Sequence, residues 1–183
     1  MGLQPYRSGR ILWEDGDLGP LDMGKRRKGG IAYLAQEPWL FQHLSSRDNL
    51  LAISELLQMK NADLKIDELL EKVGLRDRAT HLASTLSGGE KRRLEIARVL
   101  MENPKLIMMD EPFAGLDPRA IRLLKSLLLD LKAEGIHLLI SDHQVDHILE
   151  ICEEVTLMQE GRVSLKTSSE DFKQEKGAQE SYL

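Results

Sequence analysis

The chain has 183 residues and a net charge of −5, with 42% hydrophobic and 30% charged residues. These values are ordinary for a globular domain, and the acidic balance gives no support for nucleic acid binding through a basic surface. The single cysteine, Cys152, excludes an internal disulfide, and no stretch approaches the roughly 18 apolar residues of a membrane span. We therefore expect one cytoplasmic domain that is large enough to bury a core.

The first half of the chain predicts one strand followed by a helical region. The strand is "GIAYLAQ" at residues 30–36, which runs into a polar turn. From residue 44 to residue 98 the spacing of apolar residues is helical. Ser46 is expected to cap the first helix there, a second ends near Gly74, and a third cannot continue past Pro104.

The second half predicts alternating strands and helices. "KLIMMD" is an unbroken apolar run typical of a buried strand, and "IHLLISD" predicts another strand. The helix between them begins at Pro118 and ends at Gly135, and the next helix extends through Cys152. "EEVTLMQEGRVSLK" predicts a hairpin around Gly161, and the polar tail from Thr167 is expected to be loosely held. This alternation predicts a parallel α/β sheet.

Two carboxylates, Asp110 and Glu111, end the apolar strand in "LIMMDEP". Parallel α/β sheets bind ligands at the carboxyl ends of their strands, and a carboxylate there needs a cation or a polar ligand. Asp110 suits a magnesium shell, often through water, and Glu111 suits a base that orients an attacking water. The alternative is an acidic pair at a helix N-terminus.

Polar groups that could join this site occur at three other places. His143 ends the strand in "LISDH" and could contact a transferred phosphate; a structural donor, or a zinc pair with His147, is the alternative. Gln36 follows a strand and could reach a metal or an attacking water. Residues 87–89 open a helix with a hydroxyl and unhindered amides, which favours an anion, although an ordinary helix cap would explain them too.

Together these segments occur in an order that resembles the ATPase subunits of ATP-binding cassette (ABC) transporters. In that resemblance, Gln36 is the Q-loop residue, residues 86–90 are the signature motif and residues 106–111 are the Walker B strand. Residues 115–118 are the D-loop, and His143 is the switch histidine. The likeness covers nearly the whole chain and implies a P-loop NTPase-like (RecA-like) α/β fold, with a parallel sheet core and an inserted helical subdomain.

The resemblance also implies domain limits, ligands and roles. The helical subdomain would span residues 44–98, the core would comprise 1–43 and 99–166, and 167–183 would be a polar tail. ATP and Mg²⁺ would be the ligands, and a second ATPase subunit would pair head to tail with this one. The catalytic residues would be Glu111 and His143, and the metal ligands Asp110 and Gln36. The residues implied to meet the nucleotide are Gln36, Leu86, Ser87, Gly88, Gly89, Glu90 and Asp117.

Three longer stretches look like the ATPases of the lipopolysaccharide-export transporter, namely "IAYLAQEPWLFQHLSSRDNL", "DEPFAGLDP" and "LLISDHQVDHILEICEEV". Branched-chain amino-acid importer ATPases are the nearest alternative. The likeness implies integral membrane permease partners, no nucleic acid, and a peripheral position on the cytoplasmic face of the inner membrane. Trp39, Leu40 and Phe41 would then form a groove for a helix of the membrane partner, with core packing as the alternative.

The phosphate-binding loop of this family, G-x-x-x-x-G-K-[ST], does not occur in the 183 residues. In the nearest match, "GPLDMGKR" at residues 19–26, Arg26 replaces the hydroxyl, no apolar strand precedes Gly19 and no helical pattern follows Lys25. We therefore expect an N-terminally incomplete cassette that does not hydrolyse ATP alone, with unpaired strand edges and apolar faces at residues 31–34 and 106–109. An inactive fragment or a regulatory partner is the alternative to a working transport subunit.

Overall fold

The computed structural model describes residues 2, 8–14, 16–37 and 39–174. The strands are β1 (Leu12–Trp13), β2 (Gly16–Asp17), β3 (Ile31–Leu34), β4 (Leu106–Asp110), β5 (His137–Ser141), β6 (Glu154–Gln159) and β7 (Arg162–Ser168). The α-helices are α1 (Met23–Lys28), α2 (Ser46–Leu56), α3 (Ala62–Lys72), α4 (Gly88–Leu100), α5 (Pro118–Ala133), α6 (Val145–Ile151) and α7 (Ser169–Gln174). Short 3₁₀ turns lie at Arg76–Arg78 and Ala83–Thr85. Among the described helices, none is both long and apolar enough to cross a membrane.

The central sheet consists of β3, β4 and β5, which are parallel and lie side by side in that order. This confirms the predicted parallel α/β core. On one face of the sheet, Ile107 and Met109 are almost completely buried. They belong to one hydrophobic core with Leu94 of α4 and Leu124 of α5, so the helices after each strand cover this face.

The opposite face of the sheet is only partly covered. Tyr33, Met108 and Leu139 are neighbours across the three strands, and Tyr33 is 39% and Leu139 56% exposed. Because residues on one strand alternate between the two faces, the apolar runs are buried on one side only. The strand predicted to be buried, "KLIMMD", is therefore fully buried on one face only.

The two edges of the central sheet lie at β3 and β5, since each of these strands pairs with β4 on one side only among the described strands. Among the described strands, β5 pairs only with β4, whereas β6 and β7 form a separate antiparallel hairpin. An open cleft of about 1090 Å³ lies between β5 and this hairpin, with Leu139, Ile140 and Leu157 among its lining residues. The unpaired edge expected at residues 106–109 is therefore wrong, because β4 has a partner on both sides.

The helical region between β3 and β4 forms as predicted, with one shift at its start. Ser45 caps α2, because its hydroxyl accepts a hydrogen bond of 3.0 Å from the Asp48 amide. Ser46, the expected cap, is instead the first helical residue and is buried. α3 ends just before Gly74, whose φ of +65° is the conformation that glycine adopts most readily.

The C-terminal part of the described chain is more ordered than the sequence indicates. β7 continues to Ser168, and α7 follows it directly. Phe172 of α7 is 2% exposed, and the Ser169 amide donates to the Glu153 carbonyl at 2.9 Å. The expectation of a loosely held tail is therefore wrong for residues 167–174, and residues 175–183 lie outside the described part of the chain.

Candidate functional site

Three of the predicted site residues meet at the ends of the three parallel strands. Gln36 follows β3, Glu111 follows β4 and His143 follows β5. Gln36 Nε2 donates to Glu111 Oε2 at 2.8 Å, and His143 Nδ1 lies 3.5 Å from Glu111 Oε1. The parallel sheet thus brings together side chains that are 75 residues apart in the sequence, and it leaves the imidazole of His143 largely exposed.

The backbone of Glu111 adopts a conformation that is unusual for a residue with a side chain. Its φ is +42°, in the left-handed region, and its amide donates to the Ser141 carbonyl at 2.8 Å. Such conformations cost about 1–3 kcal/mol and persist where surrounding contacts enforce them, often at functional sites. Nothing in the sequence around Glu111 indicates this conformation.

Two further polar residues lie at the site, Ser141 and Asp142, although neither is among the predicted site residues. Ser141 donates its hydroxyl to Asp110 Oδ1 at 2.6 Å, across the paired ends of β5 and β4. The Asp142 side chain is fully buried, and one of its oxygens accepts from the Gln144 amide at 2.8 Å. Its other oxygen has no hydrogen-bond partner among the described residues. The available signal was their position in "LISDH", directly before His143.

The oxygens at this site fit a magnesium ion that is shared with a phosphate ligand. Asp110 supplies a carboxylate and Gln36 an amide oxygen, since the amide nitrogen of Gln36 is engaged with Glu111. Mg²⁺ is usually held by one or two carboxylates together with substrate phosphates. Within the described ranges, no group of three or more His, Cys, Asp or Glu side chains could hold a metal ion. The zinc alternative has no support, and the ring of His147 packs 5.2 Å from that of Phe113.

Ser87 and Glu90 form a reciprocal cap at the start of α4. The Glu90 amide donates to Ser87 Oγ at 3.3 Å, and the Ser87 amide donates to the Glu90 carboxylate at 2.8 Å. The hydrogen bond from the Ser87 backbone, with a further contribution from Arg78, holds the pKa of Glu90 below its usual value. Glu90 therefore fixes the helix start, while Ser87 and Gly88 remain exposed at a helix N-terminus, an arrangement that favours anions.

The two glycines of this motif have different surroundings. Gly88 is exposed, and a Cβ built on it would come no closer than 3.6 Å to the side chain of Leu116. Gly89 is buried, and a Cβ there would lie 2.5 Å from the Cβ of Ala120 on α5. Leu86 is 5% exposed and belongs to the hydrophobic core. The side chain of Leu86 therefore does not face a ligand, and the packing of α4 against α5 requires glycine at position 89.

Asp117 caps α5 with its side chain. One carboxylate oxygen accepts from the amides of Arg119 at 2.8 Å and Ala120 at 3.0 Å. The hydrogen bond from Ala120, followed by that from Arg119, lowers the pKa of the Asp117 carboxyl. Asp117 thus fixes the start of the helix that packs on Gly89, and the contacts shown by the structure give it a structural role.

The segment "GPLDMGKR" is a capped helix start in the structure. Asp22 caps α1, which contains Lys25, so the expectation that no helix follows Lys25 is wrong. Arg26 is 5% exposed and donates to the carbonyls of Leu21 at 2.9 Å and Leu18 at 2.7 Å. Because a buried arginine that donates to two backbone carbonyls occupies the place of the hydroxyl ligand, the segment does not form a phosphate-binding loop.

The residues after Gln36 divide between the surface and the core. Trp39, Phe41 and Leu44 are 78%, 46% and 37% exposed and are called the aromatic surface below. Leu40, in contrast, is buried in the core, so it does not line a groove. The Asn49 side chain fixes this loop by accepting from the Phe41 amide at 2.9 Å and donating to the Phe41 carbonyl at 3.0 Å.

A parallel α/β core, an inserted helical region and a polar site at three adjacent strand ends define an ATP-binding cassette. The model of the ABC transporter family matches residues 1–114, and this chain belongs to that family as an ATP-binding subunit. It is 36% identical, over its full length and 77% of the relative, to the lipopolysaccharide export system ATP-binding protein of Haemophilus influenzae. The protein of the same name from Escherichia coli K12 is 35% identical over the same shares.

A solved structure supports the assignment of the fold. The ADP conformation of MJ1267, described as an ATP-binding cassette of an ABC transporter, matches with a TM-score of 0.85 at 26% identity. The match covers 99% of this chain and 79% of that one. The P-loop NTPase-like α/β fold predicted from the sequence is therefore confirmed.

Proposed function

We propose that this chain is the ATP-binding and ATP-hydrolysing subunit of an ABC transporter that exports lipopolysaccharide, impaired in the 183 residues because they contain no phosphate-binding loop, and that it acts at the cytoplasmic face of the inner membrane. The contact of Gln36, Glu111 and His143 at adjacent strand ends carries the enzymatic part of the proposal. The likeness to the proteins of Haemophilus influenzae and Escherichia coli supports the cargo.

Glu111 is the general base that orients the attacking water in this proposal. Gln36 donates to one oxygen of its carboxylate, which leaves the other oxygen, 3.5 Å from His143, for a water molecule. His143 can donate to a transferred phosphate from its exposed position. When bound, Mg²⁺ would be held by Asp110 and Gln36 and would neutralise charge on the phosphates.

The signature motif serves a nucleotide that a second ATPase subunit holds in a head-to-tail pair. The exposed Ser87 and Gly88 at the N-terminus of a 13-residue helix support this role. We assign residues 44–98 to the helical subdomain that presents the motif, and 1–43 and 99–166 to the core. Gly89, Glu90 and Asp117 position the motif through the contacts described above.

The aromatic surface is the docking site for a helix of an integral membrane permease. Exposed Trp39 and Phe41 on a loop held by Asn49 provide a rigid apolar contact, which is typical of sites that bind a partner helix. The Arg98 guanidinium lies 5.1 Å from the centre of the Phe41 ring, a cation–π contact that helps to hold the ring in place.

The 183 residues contain no phosphate-binding loop, so we expect this polypeptide alone not to hydrolyse ATP. It should instead pair, only when ATP is present, with a subunit that carries the loop. The test is capture of the tagged chain by such a subunit whose own hydrolysis is blocked. Ser87→Arg should abolish capture, and Ser84→Arg, on the preceding exposed turn, is the control that should retain it. Capture that survives Ser87→Arg, or that ignores ATP, would refute this role.

The cargo can be tested with a chimera. The part of the Escherichia coli K12 relative that has no counterpart in this chain is joined to the 183 residues and expressed in cells depleted of the native protein. We expect growth to be restored, and Glu111→Gln in the chimera to prevent it, because the glutamine keeps the shape and removes the base. A chimera that hydrolyses ATP but does not restore growth would favour another cargo, such as branched-chain amino acids.

A further inference from the structure

A buried ion pair connects helix α4 to the backbone on which the site is built. Arg92 and Glu95 are each 5% exposed and are 3.2 Å apart. Arg92 donates to the Ala35 carbonyl at 2.6 Å and to the Asp110 carbonyl at 3.1 Å. Ala35 and Asp110 directly precede Gln36 and Glu111, so one guanidinium holds the backbone behind both members of the site pair.

The same pair is connected to the aromatic surface. The Trp39 amide donates to the second oxygen of the Glu95 carboxylate at 2.6 Å. Burial raises the pKa of Glu95, and the hydrogen bond from Trp39 and the charges of Arg92 and Arg98 oppose this shift. Since Arg98 also lies against Phe41, two members of the aromatic surface are tied to the environment of Glu95.

We propose that Arg92 and Glu95 are positioning residues that link the aromatic surface to the Gln36–Glu111 pair, so that movement of the Trp39 backbone moves the site. This inference rests on the proposed function, which gives the aromatic surface and the Gln36–Glu111 pair their roles. The ion pair is the path because Glu95 contacts Trp39, Arg92 contacts the two strand ends, and the two side chains contact each other. A buried, charged connection of this kind is stiff, because breaking either contact leaves an uncompensated group.

The planar guanidinium group of Arg92, with its several N–H donors, is essential to this link. An arginine can place several donors in one plane and can therefore serve both carbonyls and Glu95, whereas a lysine presents a single ammonium group. Arg93, the next residue on α4, offers a matched control. It is also partly buried, but it donates to the Val73 carbonyl at the end of α3, and within the described part of the chain it makes no hydrogen bond to either strand end.

The test is hydrogen–deuterium exchange of the nucleotide-free chain, read at the peptides that contain Trp39 and Glu111, with a peptide around Leu128 of α5 as reference. We expect Arg92→Lys to speed exchange at both sites about tenfold and to leave Leu128 unchanged. Arg93→Lys should leave both sites at the wild-type rate. A rise at one site alone, or a uniform rise that includes Leu128, would overturn the proposal.

A double-mutant cycle of Glu95→Gln and Arg92→Lys tests whether the two residues act through each other. Glu95→Gln keeps an acceptor for the Trp39 amide but removes the charge that holds Arg92. The hydrogen bonds of the Glu95 side chain to described residues are those to Trp39 and Arg92, and none is to Glu111. We expect Glu95→Gln to speed exchange at Glu111 in the wild-type chain and to have no further effect in the Arg92→Lys chain. Additive effects would refute the link. Since no nucleotide is used, failure of ATP-dependent pairing would count against the proposed function alone.

Discussion

Gly89→Ala should destabilise the start of α4, although alanine is the better helix former. Replacing glycine by alanine inside a helix gains up to about 1 kcal/mol from intrinsic propensity. At position 89, however, the new Cβ would lie 2.5 Å from the Cβ of Ala120, well inside the contact distance of about 3.5–4.0 Å between carbon atoms. Inserting a methyl group into a packed contact costs about 1–3 kcal/mol. With the full gain in propensity subtracted, we expect a net loss of up to about 2 kcal/mol in the free energy of opening of the α4–α5 contact.

A compensating change tests whether the Ala120 contact is the cause. Ala120→Gly alone should cost about 1 kcal/mol, because it places glycine in a helix. In the double variant Gly89→Ala/Ala120→Gly, the methyl group moves from one helix to the other, so the loss should be smaller than the sum of the two single losses by about 1 kcal/mol or more. Gly88→Ala is the matched control, since it meets only an ordinary contact of 3.6 Å with Leu116.

Hydrogen–deuterium exchange of the α4 and α5 amides gives the free energies of opening, and ATP-dependent capture by a complete subunit gives the functional result. Gly89→Ala should lose capture and regain it with Ala120→Gly, because the misplaced helix start is restored. Gly88→Ala should keep its stability and lose capture, because the methyl group stands where a nucleotide approaches. Equal destabilisation by the two glycine substitutions, or no recovery in the double variant, would refute this account.

Three further predictions concern caps and packing. Ser45→Ala should cost about 1 kcal/mol of stability, because α2 loses its cap. Ser46→Ala should be neutral or stabilising, since the buried Ser46 hydroxyl has no hydrogen-bond partner among the described residues. Urea denaturation of the two variants measures both effects. Phe172→Ala should cost about 3–5 kcal/mol and speed exchange in the β6–β7 hairpin, and unchanged exchange would contradict the packing of α7. The lowered pKa of Asp117 means that its stabilising effect is present near neutral pH and is lost as the pH falls below about 4. Asp117→Asn, which keeps a hydrogen-bond acceptor, should therefore lose less stability on acidification than the wild type. Equal losses would show that Asp117 does not contribute to the pH dependence of stability.

The parts of the fold that depend on local chemistry could be predicted from the sequence. Pro118 begins α5, and Gly74, Gly135 and Gly161 lie at turns with positive φ, because proline and glycine restrict or permit backbone angles wherever they occur. The strands β3 to β7, the helices α2 to α6 and the order of the motifs followed from periodicity and spacing, whereas β1, β2, α1 and α7 did not. Gln36, Glu111 and His143 could be proposed as one site because parallel strands end at the same edge.

Only the tertiary structure could decide what depends on contacts between distant segments. The need for glycine at position 89 comes from Ala120 on another helix, and the role of Arg92 comes from two carbonyls on two different strands. The burial of Phe172 and the open edge at β5 likewise depend on which elements lie side by side. The periodicity of apolar residues indicates which face of a helix or strand is buried, but it does not indicate which atoms cover that face. The sequence by itself therefore determined most of the elements and which polar residues follow the strand ends, whereas packing decided which other polar and small residues hold them in place.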